Sequence, residues 1–309
     1  MKITVLVCTR NRPEIIESCI LSVLNNTYHD FEFLIVDQSA DNKTEEIAKE
    51  YMSADKRIKY LHLDGQGKSK SLNLGIRNSS GEIIAMTDDD CAVAKDWIEN
   101  IIKAFEENPD VGIVCGSVVD NAALVGKKYA RKLIKDRKVL GRLSKLFFVA
   151  DGANMSIKKS VFNALKGFDI FLGPGSHLFS SEDQDFSYRA LKAGFKILCV
   201  RKIIVTHYLT HDIKNFQDLR LTIKRTNVSL SAWLFKHIRC LDFVALLIFL
   251  KIVIMRTSTM AVHTIFQKLP ISIFKKLNLL FLFVYWFLLG VIKSLRYPVD
   301  KISCLYISK

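Results

Sequence analysis

Three consecutive carboxylates, Asp88-Asp89-Asp90, follow the apolar run EIIAMT at 82–87. Side by side they repel and raise one another's pKa unless a cation intervenes. A hard divalent ion with oxygen ligands, Mg2+ or Mn2+, is the natural one, because it keeps positions open for a substrate's phosphates. Alternation along an extended chain points Asp88 and Asp90 to one side and Asp89 to the other. Acidic runs are common on surfaces, and the position at a strand end is what sets this one apart. Four more groups have the types and places for chemistry. Thr9-Arg10-Asn11-Arg12 follows ITVLVCT, Asp37 ends FEFLIVD, His207 sits in IIVTHYL, and Glu182-Asp183 with Asp185 opens a helix expected over 184–193. Read by physics alone, Thr9 and Asp37 cap strand ends, the lone histidine is structural, and the acids are N-terminal helix charges.

The elements that must position these groups alternate in period. ITVLVCT (3–9), FEFLIVD (31–37), RIKYLHL (57–63) and EIIAMTD (82–88) are runs of buried-strand type. Between them, helical spacing begins at Pro13 and recurs over 39–52 and 69–79. An amphipathic helix (97–108) and a further buried strand (111–119) follow. Alternation of this kind predicts an α/β fold, a mostly parallel sheet with helices on both faces and right-handed crossovers. Ligands of such sheets sit beyond the carboxyl ends of the strands, where the polar groups collect.

At 309 residues the chain is long enough for one large domain and a smaller module. Half of it is hydrophobic and 25% charged, with 5 Pro and 14 Gly, which excludes disorder and collagen-like repeats. The seven cysteines are scattered and never in a CxxC spacing, so a reducing compartment is expected rather than disulfides or structural zinc. The N-terminal apolar run of six residues is too short for a secretory signal and reads as a strand. Charge divides the chain sharply: residues 186–309 hold 20 Lys+Arg and only 4 Asp+Glu, against 25 and 27 before them. The segment 126–148 carries nine Lys/Arg and one acid, with Tyr129, Leu133, Leu140, Leu143 and Phe147 near one helical face. That spacing predicts a helix, solvated or lying on an acidic bilayer. From about Lys214 everything reads helical, with apolar runs at 243–255 and 277–293. Sixteen uncharged residues (277–292) make about 24 Å of helix, marginal against a hydrocarbon core of about 30 Å. A two-span hairpin would also export Arg256, Lys268, Lys275 and Lys276, against the positive-inside tendency. Helices lying in the cytoplasmic leaflet are therefore favoured, with one or two weak spans as the alternative.

CTRNRPE (8–14), VDQSAD (36–41), GKSKSLNLGI (67–76), GEIIAMTDDD (81–90), DGANMSIKKSVFNALKGFD (151–169) and SEDQDFSYRALKAGFKI (181–197) together resemble the family-2 nucleotide-sugar glycosyltransferases with the GT-A fold. The resemblance covers residues 3 to about 210. It implies a catalytic domain over 1–213 and leaves 214–309 as a basic, apolar, membrane-associating module. It implies an inverting, metal-dependent transfer from a UDP-, GDP- or dTDP-linked sugar to a glycan acceptor, in cell-surface polysaccharide or glycoconjugate synthesis. The basic, apolar C-terminal part adds the expectation of a lipid-linked acceptor at the cytoplasmic face of the membrane. On the donor side it implies Thr9, Arg10 and Arg12 around the nucleotide, Asp37 accepting from a base N–H, and Asp88 and Asp89 near the donor. Many relatives have an Arg where Leu72 stands here, so Lys68 or Lys70 is expected to face the phosphates. The triplet maps onto the family's DxD, with Asp90 and Asp88 as metal ligands and His207 beside them. Glu182-Asp183 maps onto an ED pair in which Asp183 is the catalytic base, with Glu182 and Asp151 lining the sugar and acceptor pocket.

Three rival readings follow from the same residues. A processive polysaccharide synthase would carry several unmistakable spans. A non-catalytic GT-A-like protein that binds a membrane surface would not need intact DDD and ED groups. A nucleic-acid-binding protein would interleave basic residues with exposed aromatics and lack an acidic cleft, whereas residues 1–185 are slightly acidic.

Overall fold

A computed structural model describes residues 1–120, 138–140, 151–208, 216–252 and 273–308. They form two compact units, Met1–Phe168 with Glu182–His211, and Asp169–Ser181 with Asp212–Lys309. In the first unit the strands are β1 (Ile3–Thr9), β2 (Phe31–Asp37), β3 (Ile58–His62), β4 (Ile83–Asp88), β5 (Cys91–Val93), β6 (Val111–Asp120), β7 (Lys138–Leu140), β8 (Met155–Lys158) and β9 (Lys196–His207). The helices are α1 (Pro13–Leu24), α2 (Lys43–Ala54), α3 (Lys68–Asn78), α4 (Trp97–Glu106), α5 (Lys159–Ala164) and α6 (Glu182–Lys192).

One sheet runs β3-β2-β1-β4-β8-β6-β9-β5, with β7 added on β9. Its first four strands are parallel, and their register pairs Thr9 with Asp37 and Cys8 with Asp88. Three strand ends therefore finish on one edge, where the first polar groups are found. β1 and β2 are buried on both faces because helices cover both sides, which is why their sequences are continuous apolar runs. One core face gathers Ile16, Ile20, Trp97, Ile101 and Phe105 against Val5, Phe33 and Val205. The other gathers Leu72, Ile76, Phe162, Phe186 and Leu191 against Leu6, Met86 and Ile157.

β5 pairs antiparallel with β9, setting Cys91 opposite His207. That pairing brings a residue 117 positions past Asp90 next to the acidic triplet, and Tyr208 N–H donates to Asp90 O at 2.9 Å. The helix expected over 126–148 is corrected at the residues described there. Lys138–Leu140 is a strand paired with Cys199, Leu198 and Ile197, and Leu140 is buried against that face of the sheet. The rest of that segment lies outside the described residues. An otherwise open edge of β9 supplies unpaired backbone groups, and satisfying them outweighs the helical spacing of the segment.

The second unit holds α7 (Phe216–Arg239), α8 (243–252) and α9 (Ile273–Leu295). α9 lies against α7 at Gly290, where a Cβ would stand 2.4 Å from Val228 O. Only glycine permits so close an approach. Asp169 is fully buried here, accepting from Lys236 Nζ at 2.7 Å, Tyr306 N at 3.0 Å and Phe171 N at 3.0 Å. The segment Asp169–Ser181, expected to belong with the catalytic residues, thus packs with the C-terminal helices. The helical reading of everything past Lys214 stops at α9. Beyond it, Val299 bridges Tyr306 and a turn is tied by Asp300. Among the described residues no helix is long and apolar enough to cross a membrane, and the run at 243–255 is described only to residue 252.

Candidate active site

The site grows from the carboxyl edge of β1, β2 and β4. The loop after β1 and the loop after β2 form one hydrogen-bonded structure. Gln38 N–H donates to Thr9 O at 3.0 Å, Asn11 N–H to Ser39 Oγ at 2.7 Å, and Ala40 N–H to Asn11 Oδ1 at 2.9 Å. Asp37 organises it from beneath, accepting Ser39 N–H and Oγ–H at Oδ1 and Tyr60 O–H at Oδ2. Asp37 is fully buried, so in this structure it holds the loop instead of presenting its carboxylate to a base.

The triplet splits as alternation requires. Asp89 turns to the first loop, where Thr9 Oγ1 donates at 2.8 Å and Arg12 Nη1 at 2.9 Å. Burial still pushes the Asp89 carboxyl up against the pull of Arg12. Arg12 also reaches Asp90 Oδ2 at 3.3 Å, whereas Arg10 is exposed. Asp88 and Asp90 converge with Cys91 and His207, whose ligand atoms all lie within 4.8 Å of one another. His207 Nε2 is 3.4 Å from Asp90 Oδ1, and its Nδ1 is buried without a hydrogen-bond partner.

These residues fit a divalent cation. Two carboxylates and an imidazole form a compact hard-donor set, and the orphaned buried nitrogen marks a polar group still lacking a partner. Cys91 was missed in the sequence, although it follows the triplet directly. Burial, Asp88 and Asp90 push its thiol up, so it stands as a neutral S–H beside the carboxylates.

Of the two lysines in the glycine-led segment, the fold selects Lys68. Gly67 precedes α3 with φ of 130°, a backbone that glycine adopts without strain, and α3 starts directly after it. Lys68 Nζ is ion-paired with Asp88 and stands 3.9 Å from Glu182 Oε1, while Lys70 is exposed. Burial alone would lower the Lys68 pKa, but Asp88 and Glu182 outweigh it and hold the group well above its usual range.

Glu182 and Asp183 open α6, where Ser181 ahead of them holds a left-handed φ of 75°. Asp183 Oδ2 accepts Gly152 N–H at 2.9 Å and Oδ1 accepts Gln184 N–H at 2.7 Å, which fixes the plane of its carboxylate. Burial and then Asp151 push Asp183 up, and burial and then Asp183 push Glu182 up to about 7. Asp151 caps the 3-10 turn Gly152–Asn154, accepting Ala153 N–H at 3.2 Å. Asn154, also missed in the sequence, pins that turn. It accepts from Trp97 Nε1 and donates to Ser117 O and Ile203 O, joining α4, β6 and β9. The arrangement sets side by side an acid pair with the spacing of a cation site, a half-buried ammonium, and a half-buried carboxylate with raised basicity.

The chain is 28% identical over 180 residues to a glucosyl-dolichyl phosphate glucuronosyltransferase of Haloferax volcanii, covering 56% of this chain and 58% of that protein. It is 27% identical over 211 residues to glycosyltransferase AglE of the same organism, covering 66% of each. It thus spans less than two thirds of either relative's length. In fold it matches the mannosyltransferase PcManGT from Pyrobaculum calidifontis, in complex with GDP-Man and Mn2+, at a TM-score of 0.61 and 17% identity, over 95% of this chain and 86% of that one. S. aureus TarS in complex with UDP-GlcNAc matches at a TM-score of 0.58 and 17% identity, over 74% and 66%. These neighbours share the GT-A architecture. A model of one family, "Glycosyl transferase family 2", matches residues 4–166, more than half of the sequence and all of the β1–β4 carboxyl edge, and the chain belongs to that family.

Proposed function

We propose that this chain is an inverting, metal-dependent glycosyltransferase. It moves a sugar from a nucleoside-diphosphate donor to a hydroxyl of a glycan or lipid-linked acceptor. The observation that carries the reading is Lys68, whose single ammonium is paired with Asp88 of the cation-binding cluster and lies within 4 Å of Glu182, next to Asp183. On this reading the donor phosphates and the acceptor base are neighbours.

Asp183 takes the proton of the acceptor hydroxyl as that oxygen attacks the anomeric carbon. The new carbon–oxygen bond forms as the bond to the phosphate oxygen breaks, on the opposite face of the sugar, so the configuration inverts. Gly152 and Gln184 N–H hold the carboxylate in place, and its raised pKa makes it the stronger base. Asp88, Asp90 and His207 would hold Mg2+ or Mn2+, which supplies charge stabilisation to the departing diphosphate. Lys68 adds a fixed positive charge there. Arg12, anchored on Asp89 and Asp90, and the exposed Arg10 face the nucleotide, and Thr9 keeps Asp89 in place. The relatives support the substrate class: one is named for transfer to a glucosyl-dolichyl phosphate, and neighbours bind GDP-Man with Mn2+ and UDP-GlcNAc.

A membrane-bound acceptor and a place at the cytoplasmic face of the membrane, in surface polysaccharide or glycoconjugate synthesis, complete the proposal. They are supported by the 20 Lys+Arg against 4 Asp+Glu of residues 186–309. The test is release of nucleoside diphosphate from UDP-, GDP- and dTDP-sugars, with Mg2+ or Mn2+ and with chelator. One donor should be hydrolysed slowly, and the activity should vanish with chelator and in Asp90→Ala. Full activity in either case would overturn the metal assignment, and no turnover of any donor would overturn the function.

A further inference from the structure

α9 is apolar on both sides, yet among the described residues only one side is buried. Leu282, Trp286 and Phe287 are buried, and Gly290 meets α7. Phe281, Tyr285, Leu288, Ile292 and Leu295 recur at intervals of three and four, which sets them on a single face. All five are exposed, Phe281 by 70% and Leu295 by 59%. A helix apolar all round belongs in an interior, so this face calls for a cover. The stripe runs over fifteen residues, about 21 Å, along the helix axis and suits contact along its length. α8, joined to α9 by Phe249 against Phe287 at 4.8 Å, exposes Phe243, Leu247 and Leu250 at the same kind of spacing.

Charge identifies the cover. At the C-terminal end of the stripe, Lys293 stands in the last turn of α9 with Arg296 three residues on, whose N–H donates to Lys293 O at 3.1 Å. Burial and then Lys224 and Arg296 push Lys293 down, as expected of a basic cluster. Among the described residues none of the three is ion-paired with a carboxylate. A second copy of this chain would bring like charge against like, whereas an anionic leaflet supplies acyl chains for the stripe and phosphates for its basic end. We propose that the outer face of α9 docks flat onto an anionic phospholipid bilayer, with Lys224, Lys293 and Arg296 at the headgroups. This rests on the reading that the chain works at a membrane.

Flotation of the full chain with phosphatidylcholine vesicles, with and without 30% phosphatidylglycerol, tests it. The wild type should float with the anionic vesicles, and less so as salt rises. Leu288→Asp combined with Ile292→Asp should reduce the bound fraction at least tenfold, and so should Phe281→Ser in part, with donor hydrolysis kept as proof of folding. Lys224→Gln with Arg296→Gln should weaken the salt dependence. If the wild type floats and the Asp variant floats equally, the face is wrong while the membrane reading stands. Equal flotation with neutral vesicles overturns the headgroup assignment. A wild type that floats with neither, or that instead self-associates through the stripe, overturns both.

Discussion

At the residue scale, the proposed mechanism gives Asp183 and Lys68 separate tasks. Asp183→Asn keeps the shape of the side chain and one of its two backbone N–H partners, sets an amide NH2 against the other, and removes the proposed base. Turnover should fall by about 10²–10⁴ while donor affinity stays nearly unchanged. Single-turnover kinetics beside nucleotide titration separate the two, and a collapse of affinity alone would move Asp183 to the donor site. Lys68→Met removes the cation that lowers both Glu182 and Asp183. Their pKa values should rise further, so the acid limb of the rate profile should move to higher pH, with turnover lower throughout. An unmoved limb would show that Lys68 does not act on the pair. Much of this was legible. The triplet's alternation separates Asp88 and Asp90 from Asp89, and the strand ends set Thr9 and Asp37 on the same edge. The choice between Lys68 and Lys70 was not, because residues two apart on a helix point in nearly opposite directions and nothing local says which way the helix is turned. Asn154 and Cys91 were missed because their partners are distant in sequence, at Trp97, Ser117, Ile203 and His207.

At the element scale, the register that aligns the strand ends is held at their other end by Glu32. Its carboxylate accepts Thr4 Oγ1 on β1 and Lys59 Nζ on β3, each at 2.6 Å, and Ser80 N–H at 2.8 Å. Burial pushes this group up, but the hydrogen bonds from Lys59, Thr4 and Ser80 win and hold it at about 2. The folded pKa lies below that of an unfolded glutamate, so the folded state binds the proton less tightly. The contribution is complete above about pH 4.5 and is lost as pH falls toward about 2. Glu32→Gln should therefore cost about 1–2 kcal/mol at pH 7, with the gap to wild type closing below pH 4. Denaturant unfolding at several pH values measures it, and a gap independent of pH would rule out the charge as its source. β1, β2, β4 and β6 were readable because burial on both faces writes them as continuous apolar runs, whereas the short β5 and β8 were not read as strands. Nor was β7, since its three residues owe their conformation to the open edge of β9 and carry a helical spacing of their own.

At the scale of the molecule, the two units are not consecutive in the chain. Asp169–Ser181 leaves the catalytic sequence, folds with the C-terminal helices, and leads back into Glu182 and Asp183. Sequence placed the boundary near residue 213 because composition changes there, and composition says nothing about a thirteen-residue excursion stapled by one buried ion pair. Both side chains of that pair, Lys236 and Asp169, are fully shielded from solvent. Leu178 O accepts from Ser229 of α7, and Lys293 Nζ lies 4.7 Å over the Phe179 ring, so the excursion is held along its length. Lys236→Met leaves Asp169 charged and buried with only the N–H groups of Phe171 and Tyr306, which should cost about 3–5 kcal/mol. Adding Asp169→Leu should recover part of that loss, because an apolar pair of similar volume carries no stranded charge, although the two N–H groups lose their acceptor. The segment leads directly into Glu182 and Asp183, so its loosening should reach the proposed acids. Lys236→Met should expose the bonds around Gly173–Ser176 to limited proteolysis and lower turnover more than donor affinity. Calorimetric melting of the two variants beside wild type, with cleavage mapped by mass spectrometry, gives the answer. A single variant as stable as wild type, or cleavage that spares this segment, would mean that the ion pair does not hold the excursion.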